Sequence, residues 1–264
     1  MSYDSTLRHG DEMEMAVSEL SISVAPGVPL YQDVKRKIFD VVRRGDWKPG
    51  DTIPSEKRLA ERFGVSIGTL RKAVDALVTE NLLVRRQGRG TFVTTHDESR
   101  YVYSFFHVLR HDGFKEPPEV QLVAFDRVKA DSYAASMLGL DASAPLFRVV
   151  NLLKLGGKPV VIDEICVPAG LFRGLTEKRA RDRKVTLYQL YQADFGVTVL
   201  RTEERVRAVK ADATTASLLA VPRGDPLLKV IRRALSFNDK PIELRFSYIS
   251  TERYEYNSEP VALS

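Results

Sequence analysis

Cysteine is almost missing from this chain. Cys166 stands alone in 264 residues, which excludes an intramolecular disulfide and predicts a reducing compartment, the cytoplasm. No apolar run approaches the ~20 residues that cross a bilayer, so no membrane partner is expected. The first thirty residues hold one basic and five acidic groups, the reverse of a secretory or transit leader. Histidine is confined to His9, His96, His107 and His111, leaving the last 153 positions without an imidazole. There is no Gly-rich phosphate loop, no HExxH and no Gly-x-Ser-x-Gly, so neither a cofactor nor an enzymatic activity is expected. What remains has the composition of a globular protein, 44% hydrophobic and 28% charged, and is long enough for two domains.

Charge is unevenly spread. Residues 31–100 hold fifteen basic and ten acidic groups, against the net −4 of the first thirty, so positive density concentrates on one segment. The patterning predicts a flexible acidic tail over 1–28, a first domain over 29–94, a linker over 95–103, a second domain over 104–256 and a tail over 257–264. In the first domain, Tyr31, Val34, Ile38 and Val41 recur at helical spacing, and Gly45 and Pro49-Gly50 stop that helix. Ser55 caps a second helix with Leu59, Ala60 and Phe63 inside, and Gly64 suits a left-handed end. Ser66 caps a third helix whose inner face is Leu70, Ala73, Val74 and Leu77. Leu82-Leu83-Val84 and Thr91-Phe92-Val93 then form a hairpin around Gln87-Gly88-Arg89-Gly90.

Three short helices and a basic hairpin make a winged helix-turn-helix, in which the start of the third helix enters a DNA major groove. Lys57, Ser66, Ile67, Gly68, Thr69, Arg71 and Lys72 are the outward residues that would meet bases or phosphates, and Gln87, Gly88 and Arg89 form the wing tip. Pro54-Ser55-Glu56-Lys57-Arg58-Leu59-Ala60, Phe63-Gly64-Val65-Ser66, Leu70-Arg71-Lys72-Ala73 and Gly88-Arg89-Gly90-Thr91-Phe92-Val93 resemble the GntR family of bacterial transcription regulators. The resemblance implies a homodimer on a palindromic double-stranded operator, usually repressing, released by a small metabolite. Family members often carry arginine where this chain has Ile67, an apolar side chain suited to a thymine methyl.

The second domain contains an internal repeat. Asp131 and Asp212 each open an Ala-rich helix, Pro145-Leu146 and Pro226-Leu227 each open a strand, and Lys158-Pro159 and Lys240-Pro241 each open a returning strand. Their spacing is 81 or 82 residues. Two helix-plus-hairpin units predict one antiparallel sheet with pseudo-twofold symmetry and helices on one side, an α+β domain with a ligand cleft. Residues 185–196 read as a further helix. Ser104-Phe105 with Gly113, Leu138-Gly139-Leu140, Gly157-Lys158-Pro159, Pro168, Leu187-Tyr188, Glu204 and the run from Pro241-Ile242-Glu243 to Arg253-Tyr254 resemble the HutC-type effector domain, UTRA, with its chorismate-lyase-like fold.

That resemblance implies effector contacts at Ser104, Phe105, Glu243 and Arg253. Sugar-phosphate-sensing members resemble one another in an Arg-x-Arg pair that is Asn151 and Leu153 here. A Ser-Tyr pair becomes Ile165-Cys166 and a later tyrosine becomes Ile249. Each change removes a phosphate or hydroxyl partner, so the expected effector is less charged or more apolar than a sugar phosphate, such as a carboxylated or aromatic metabolite. Arg148, if it faces the cleft, would hold the carboxylate. A DNA-tethered enzyme of the same fold and a constitutive DNA-binding dimer are the alternatives. His107 and His111 are spaced for one helix face but lack a third ligand, so no metal is expected. Cys166, in an apolar strand, reads as a buried small hydrophobe.

Overall fold

The computed structural model of the protein describes residues 28–96 and 104–258, in two units, residues 1–95 and 96–264. The acidic tail therefore lies outside the described residues except for Val28, as do linker residues 97–103 and the last six positions.

In the first unit, α1 (Leu30–Arg44), α2 (Glu56–Phe63) and α3 (Ile67–Thr79) bury the apolar positions that their period predicts. Val34, Ile38, Leu59, Phe63, Leu70, Val74 and Leu77 are almost fully enclosed, as is Trp47. Each boundary has a physical cause. The Ser55 hydroxyl accepts the Arg58 amide at 3.3 Å and the Ser66 hydroxyl accepts the Thr69 amide at 3.1 Å. Gly64 takes φ 61°, a left-handed value that a side chain would resist, and the Val65 amide returns to the Ala60 carbonyl. Strands β1 (Leu83–Arg86) and β2 (Gly90–Val93) pair in antiparallel register, with Arg86 opposite Gly90. An isolated bridge from Thr52 to Phe92 extends the hairpin.

The second unit is built on one six-stranded antiparallel sheet of order β4-β5-β6-β9-β8-β7. Its members are β4 (Glu119–Lys129), β5 (Pro145–Leu155), β6 (Lys158–Pro168), β7 (Arg201–Lys210), β8 (Pro226–Leu235) and β9 (Pro241–Ile249). The palindromic order is the predicted repeat made visible, with β6 and β9 paired at the pseudo-dyad. Each repeat starts one strand before its helix-plus-hairpin unit: β4 precedes α4 (Ser132–Leu138), and β7 precedes α7 (Ala213–Leu219). Asp131 and Asp212 cap the two helices through Ala134 and Thr215.

The pleat divides the residues between two faces. Leu146 and Leu244 meet α4, and Val150, Leu152 and Ile162 meet α7. On the other face, Val149, Leu153, Val161, Ile165 and Val230 meet α6 (Leu187–Phe195), which the inserted segment forms after a short α5 (Glu177–Asp182). The sheet is therefore covered on both sides. Helices of the repeat lie on one face, as predicted, and those of the insertion on the other. A small sheet pairs β3 (Val108–Arg110) with β10 (Tyr254–Tyr256).

Candidate nucleic-acid interface and ligand cavity

The first turn of α3 faces solvent. Ser66, Gly68, Arg71 and Lys72 are exposed, Thr69 is half-buried, and Ile67 is 46% exposed, unusual for a large apolar side chain. Ser66 and Thr69 hydroxyls lie 2.9 Å apart, so the cap also orients Thr69. The Arg71 guanidinium donates to Glu56 at 3.0 Å, and Arg85 of β1 donates to the other oxygen of the same carboxylate at 3.0 Å. Glu56 thereby links α3 to the hairpin. Lys72 Nζ stands 4.3 Å above the Tyr31 ring, and Lys57 is exposed at the start of α2. At the wing tip Gln87, Gly88 and Arg89 are exposed, with Gly88 at φ 67°. Exposed cations, an exposed helix start and a thin glycine turn together suit a polyanionic groove.

In the second unit a cavity of about 520 Å³ opens on the α6 face of the sheet. Its floor is Leu122, Asn151, Leu153, Asp163 and Arg245, from four neighbouring strands. Thr186, Leu187 and Gln189 at the start of α6 form one wall, and Pro117, Pro118 and Val120 another. Arg181, Arg183, Lys184 and Val185 lie at its mouth. Asn151 is 2% exposed and its Oδ1 has no hydrogen-bond partner. Asp163 accepts from Arg245 at 3.0 Å and from the Ser247 hydroxyl at 2.5 Å. Arg245 also donates to Glu243 at 2.9 and 3.2 Å. Glu243 is fully buried and further accepts from Tyr188 at 3.1 Å and Tyr191 at 2.8 Å. Burial, then Glu243, hold the Tyr191 hydroxyl well above the usual tyrosine range, so it remains a donor.

Of the six residues expected at the effector, only Asn151 lines the cavity. Arg148 is corrected: it lies one position off the cavity register, on the opposite face, where it pairs with Glu164 at 2.5 Å and Asp126 at 3.0 Å. Arg253 lies in the exposed turn between β9 and β10, outside the lining. Ser104 is half-buried and likewise outside the lining. Phe105 is buried edge-on against Tyr188, 5.0 Å between centroids. Glu243 lies behind the cavity floor and braces Arg245 instead of lining the space. Asp163, Arg245 and the basic mouth had been missed. The signal was present, since a charged residue at the inward parity of an apolar strand, as in Val161-Ile162-Asp163-Glu164-Ile165, is rarely tolerated without a partner.

His96 is also corrected. Its polarity placed it in a linker, but it is 1% exposed within the second unit. Its amide donates to Gln192 on α6 at 2.9 Å and its Nε2 accepts the Val199 amide at 3.0 Å. His107 and His111 share no helix: the first is buried just before β3 and the second is exposed just after it. Burial, then Arg232, hold the His107 imidazole below its ordinary value, against the opposing pull of Glu204. Burial opposes ionisation of Glu204, but Arg232 and the Tyr256 hydroxyl outweigh it and its carboxyl sits below the usual range. Among the described residues no group of three or more His, Cys, Asp or Glu side chains could hold a metal ion.

Comparison with known proteins defines the class. Residues 30–93 match the gntR family of bacterial regulatory proteins, and residues 115–255 match the UTRA domain. The chain belongs to the GntR family of transcriptional regulators, in the group with a UTRA domain, and this is a family of regulators, not enzymes. It is 29% identical over 213 residues to the histidine utilization repressor of Klebsiella aerogenes, covering 79% of this chain and 85% of that protein. It is 25% identical over 232 residues to the mannosyl-D-glycerate transport/metabolism system repressor MngR of Escherichia coli (strain K12), covering 86% and 94%. Among solved structures, the ligand-binding domain of a protein described as a GntR-family regulator from Bordetella bronchiseptica is 32% identical. It matches with a TM-score of 0.57, over 60% of this chain and 98% of that domain.

Proposed function

We propose that this protein is a homodimeric repressor that binds a palindromic operator and leaves it when a small metabolite, not a sugar phosphate, occupies the cavity. Lys57, Ser66, Ile67, Gly68, Thr69, Arg71 and Lys72, with Gln87, Gly88 and Arg89, make the DNA contacts in this reading. Two copies are required on energetic grounds. One recognition helix reads few base pairs, and each mismatch costs only about 1–3 kcal/mol, so two half-sites are needed for useful discrimination. Residues 29–94 are the DNA-binding domain in this reading, and the effector domain reaches to residue 256.

The observation that carries the reading is the pairing of an exposed basic helix-turn-helix in one unit with a cavity of ligand size in the other. The cavity floor argues against a sugar phosphate, because Asn151 and Leu153 cannot clamp a dianion as a pair of arginines would. The test is selection of a duplex from a random pool, then fluorescence anisotropy with the selected duplex across a metabolite panel. Tight binding to one palindrome, weakened at least tenfold by one metabolite, is expected. Indifference to sequence defeats the repressor reading. Selective binding that no metabolite changes favours a constitutive dimer, and release by glucosamine-6-phosphate defeats the exclusion of phosphosugars.

A further inference from the structure

The two halves of the effector domain are related by the repeat, yet only one half is open. In the β5–β6 hairpin Asn151 stands opposite Asp163, and Leu122 of β4 stands opposite Asn151. In the β8–β9 hairpin Arg232 stands opposite Arg245, and Glu204 of β7 stands opposite Arg232. Asn151 and Arg232 are thus repeat equivalents, as are Asp163 and Arg245. The chain itself satisfies the second half: Arg232 donates to Glu204 and to the Phe105 carbonyl, each at 2.5 Å, and Tyr256 donates to Glu204. In the first half the equivalent place is the cavity, which Asn151 lines, and its buried Oδ1 has no partner. A buried acceptor left unpaired costs about 1–3 kcal/mol, so the open half is built for a donor from outside.

Charge narrows the donor. The buried polar cluster at and behind the floor holds two carboxylates, Asp163 and Glu243, and one guanidinium, Arg245. One negative charge is left over, which favours a cation in the space beside Asn151. The mouth has the opposite sign, with Arg181 and Lys184 exposed there. Between the two ends Leu122, Leu153, Leu187 and Val120 offer an apolar stretch beside Thr186 and Gln189.

We infer that the cavity takes a small carboxylic acid whose far end carries a protonated amine or a heterocyclic N–H. The nitrogen donates to Asn151 Oδ1 beside Asp163, the apolar middle lies along the leucines, and the carboxylate stays at the mouth with Arg181 and Lys184. This rests on the cavity being the effector site, and it names the chemistry of that effector.

Isothermal titration of the full chain with matched probes tests it: 6-aminohexanoate against hexanoate, and 4-(aminomethyl)benzoate against 4-methylbenzoate. In at least one pair the nitrogen-bearing probe is expected to bind at least about tenfold more tightly than its hydrocarbon partner, the value of one hydrogen bond in a charged setting. Asn151→Leu should erase that preference, and Lys184→Ala should weaken both members of the pair. Equal affinities within both pairs, tighter binding of glucosamine-6-phosphate than of any nitrogen-bearing probe, or no binding at millimolar concentration would overturn the inference. Should Asn151→Leu fail to fold, the paired comparison on the unaltered chain decides alone. Operator binding is read separately by anisotropy, so the inference can fail while the repressor reading stands.

Discussion

Replacing Tyr191 with phenylalanine removes one hydroxyl and leaves the ring. Tyr191 is fully buried, packs 4.5 Å from the Phe172 centroid and donates to Glu243 Oε2 at 2.8 Å. The ring contact survives the change, so the loss is the hydrogen bond to a buried carboxylate, about 1.5–3 kcal/mol. In a domain of roughly 150–250 residues each kcal/mol moves Tm by about 2–4 °C, which gives a fall of about 3–12 °C. Tyr188→Phe should cost less. Its hydroxyl is 3.1 Å from Oε1, and Arg245 Nε bonds that same oxygen at 2.9 Å. The folded value of Tyr191 is raised, so its contribution is complete below the ordinary tyrosine value near 10 and fades only in stronger base. The Tm loss should therefore be equal at pH 6 and pH 8. Scanning calorimetry of both variants is the assay. A shift under 1 °C for Tyr191→Phe would refute the view that Glu243 depends on the two α6 tyrosines.

Acidification probes His107. Its folded value is depressed, so its contribution is complete above the unfolded value near 6.5 and is lost as pH falls below it. Melting curves between pH 7.5 and 5 should decline more steeply for the wild type than for His107→Gln, with the Glu204 contribution failing only below about pH 4.5. Burial, then Glu164, push the Cys166 thiol up to about 11, so a disulfide reagent at pH 8 should titrate no thiol until denaturant is added. Arg148→Ala, on the far face of the sheet, should leave probe affinity in the calorimeter unchanged and shift stability by no more than about 1 kcal/mol. Lys57→Ala should weaken operator and random duplex alike, and reduce the slope of log affinity against log salt by about two for the dimer, one for each half-site.

How far the site was legible depended on how local its causes are. Ser55, Gly64 and Ser66 act within a turn of their own positions, so the helix boundaries of the first unit could be read from the chain, and the outward face of α3 followed. The repeat was equally legible, because Asp131 and Asp212 cap their helices from adjacent residues. The strands β4 and β7 were not recognised. Both lie at sheet edges, where exposed positions such as Arg201, Arg205 and Arg207 blur the apolar alternation that marks an inner strand.

Amino-acid order alone determined the modules: a capped, basic helix-turn-helix, a glycine wing, and two copies of one supersecondary unit. Periodicity and capping are short-range, and the chain carries them wherever it is placed. Tertiary structure decided which side of the sheet each polar residue serves. The pleat turned Arg148 away from the cavity and Asn151 into it. Pairing across the pseudo-dyad brought Asp163 to Arg245, 82 positions apart, and the packing of α6 gave Glu243 its tyrosines and His96 its anchor. A one-residue change of register would exchange the two faces, and register follows from how all six strands share one core, which no local pattern specifies.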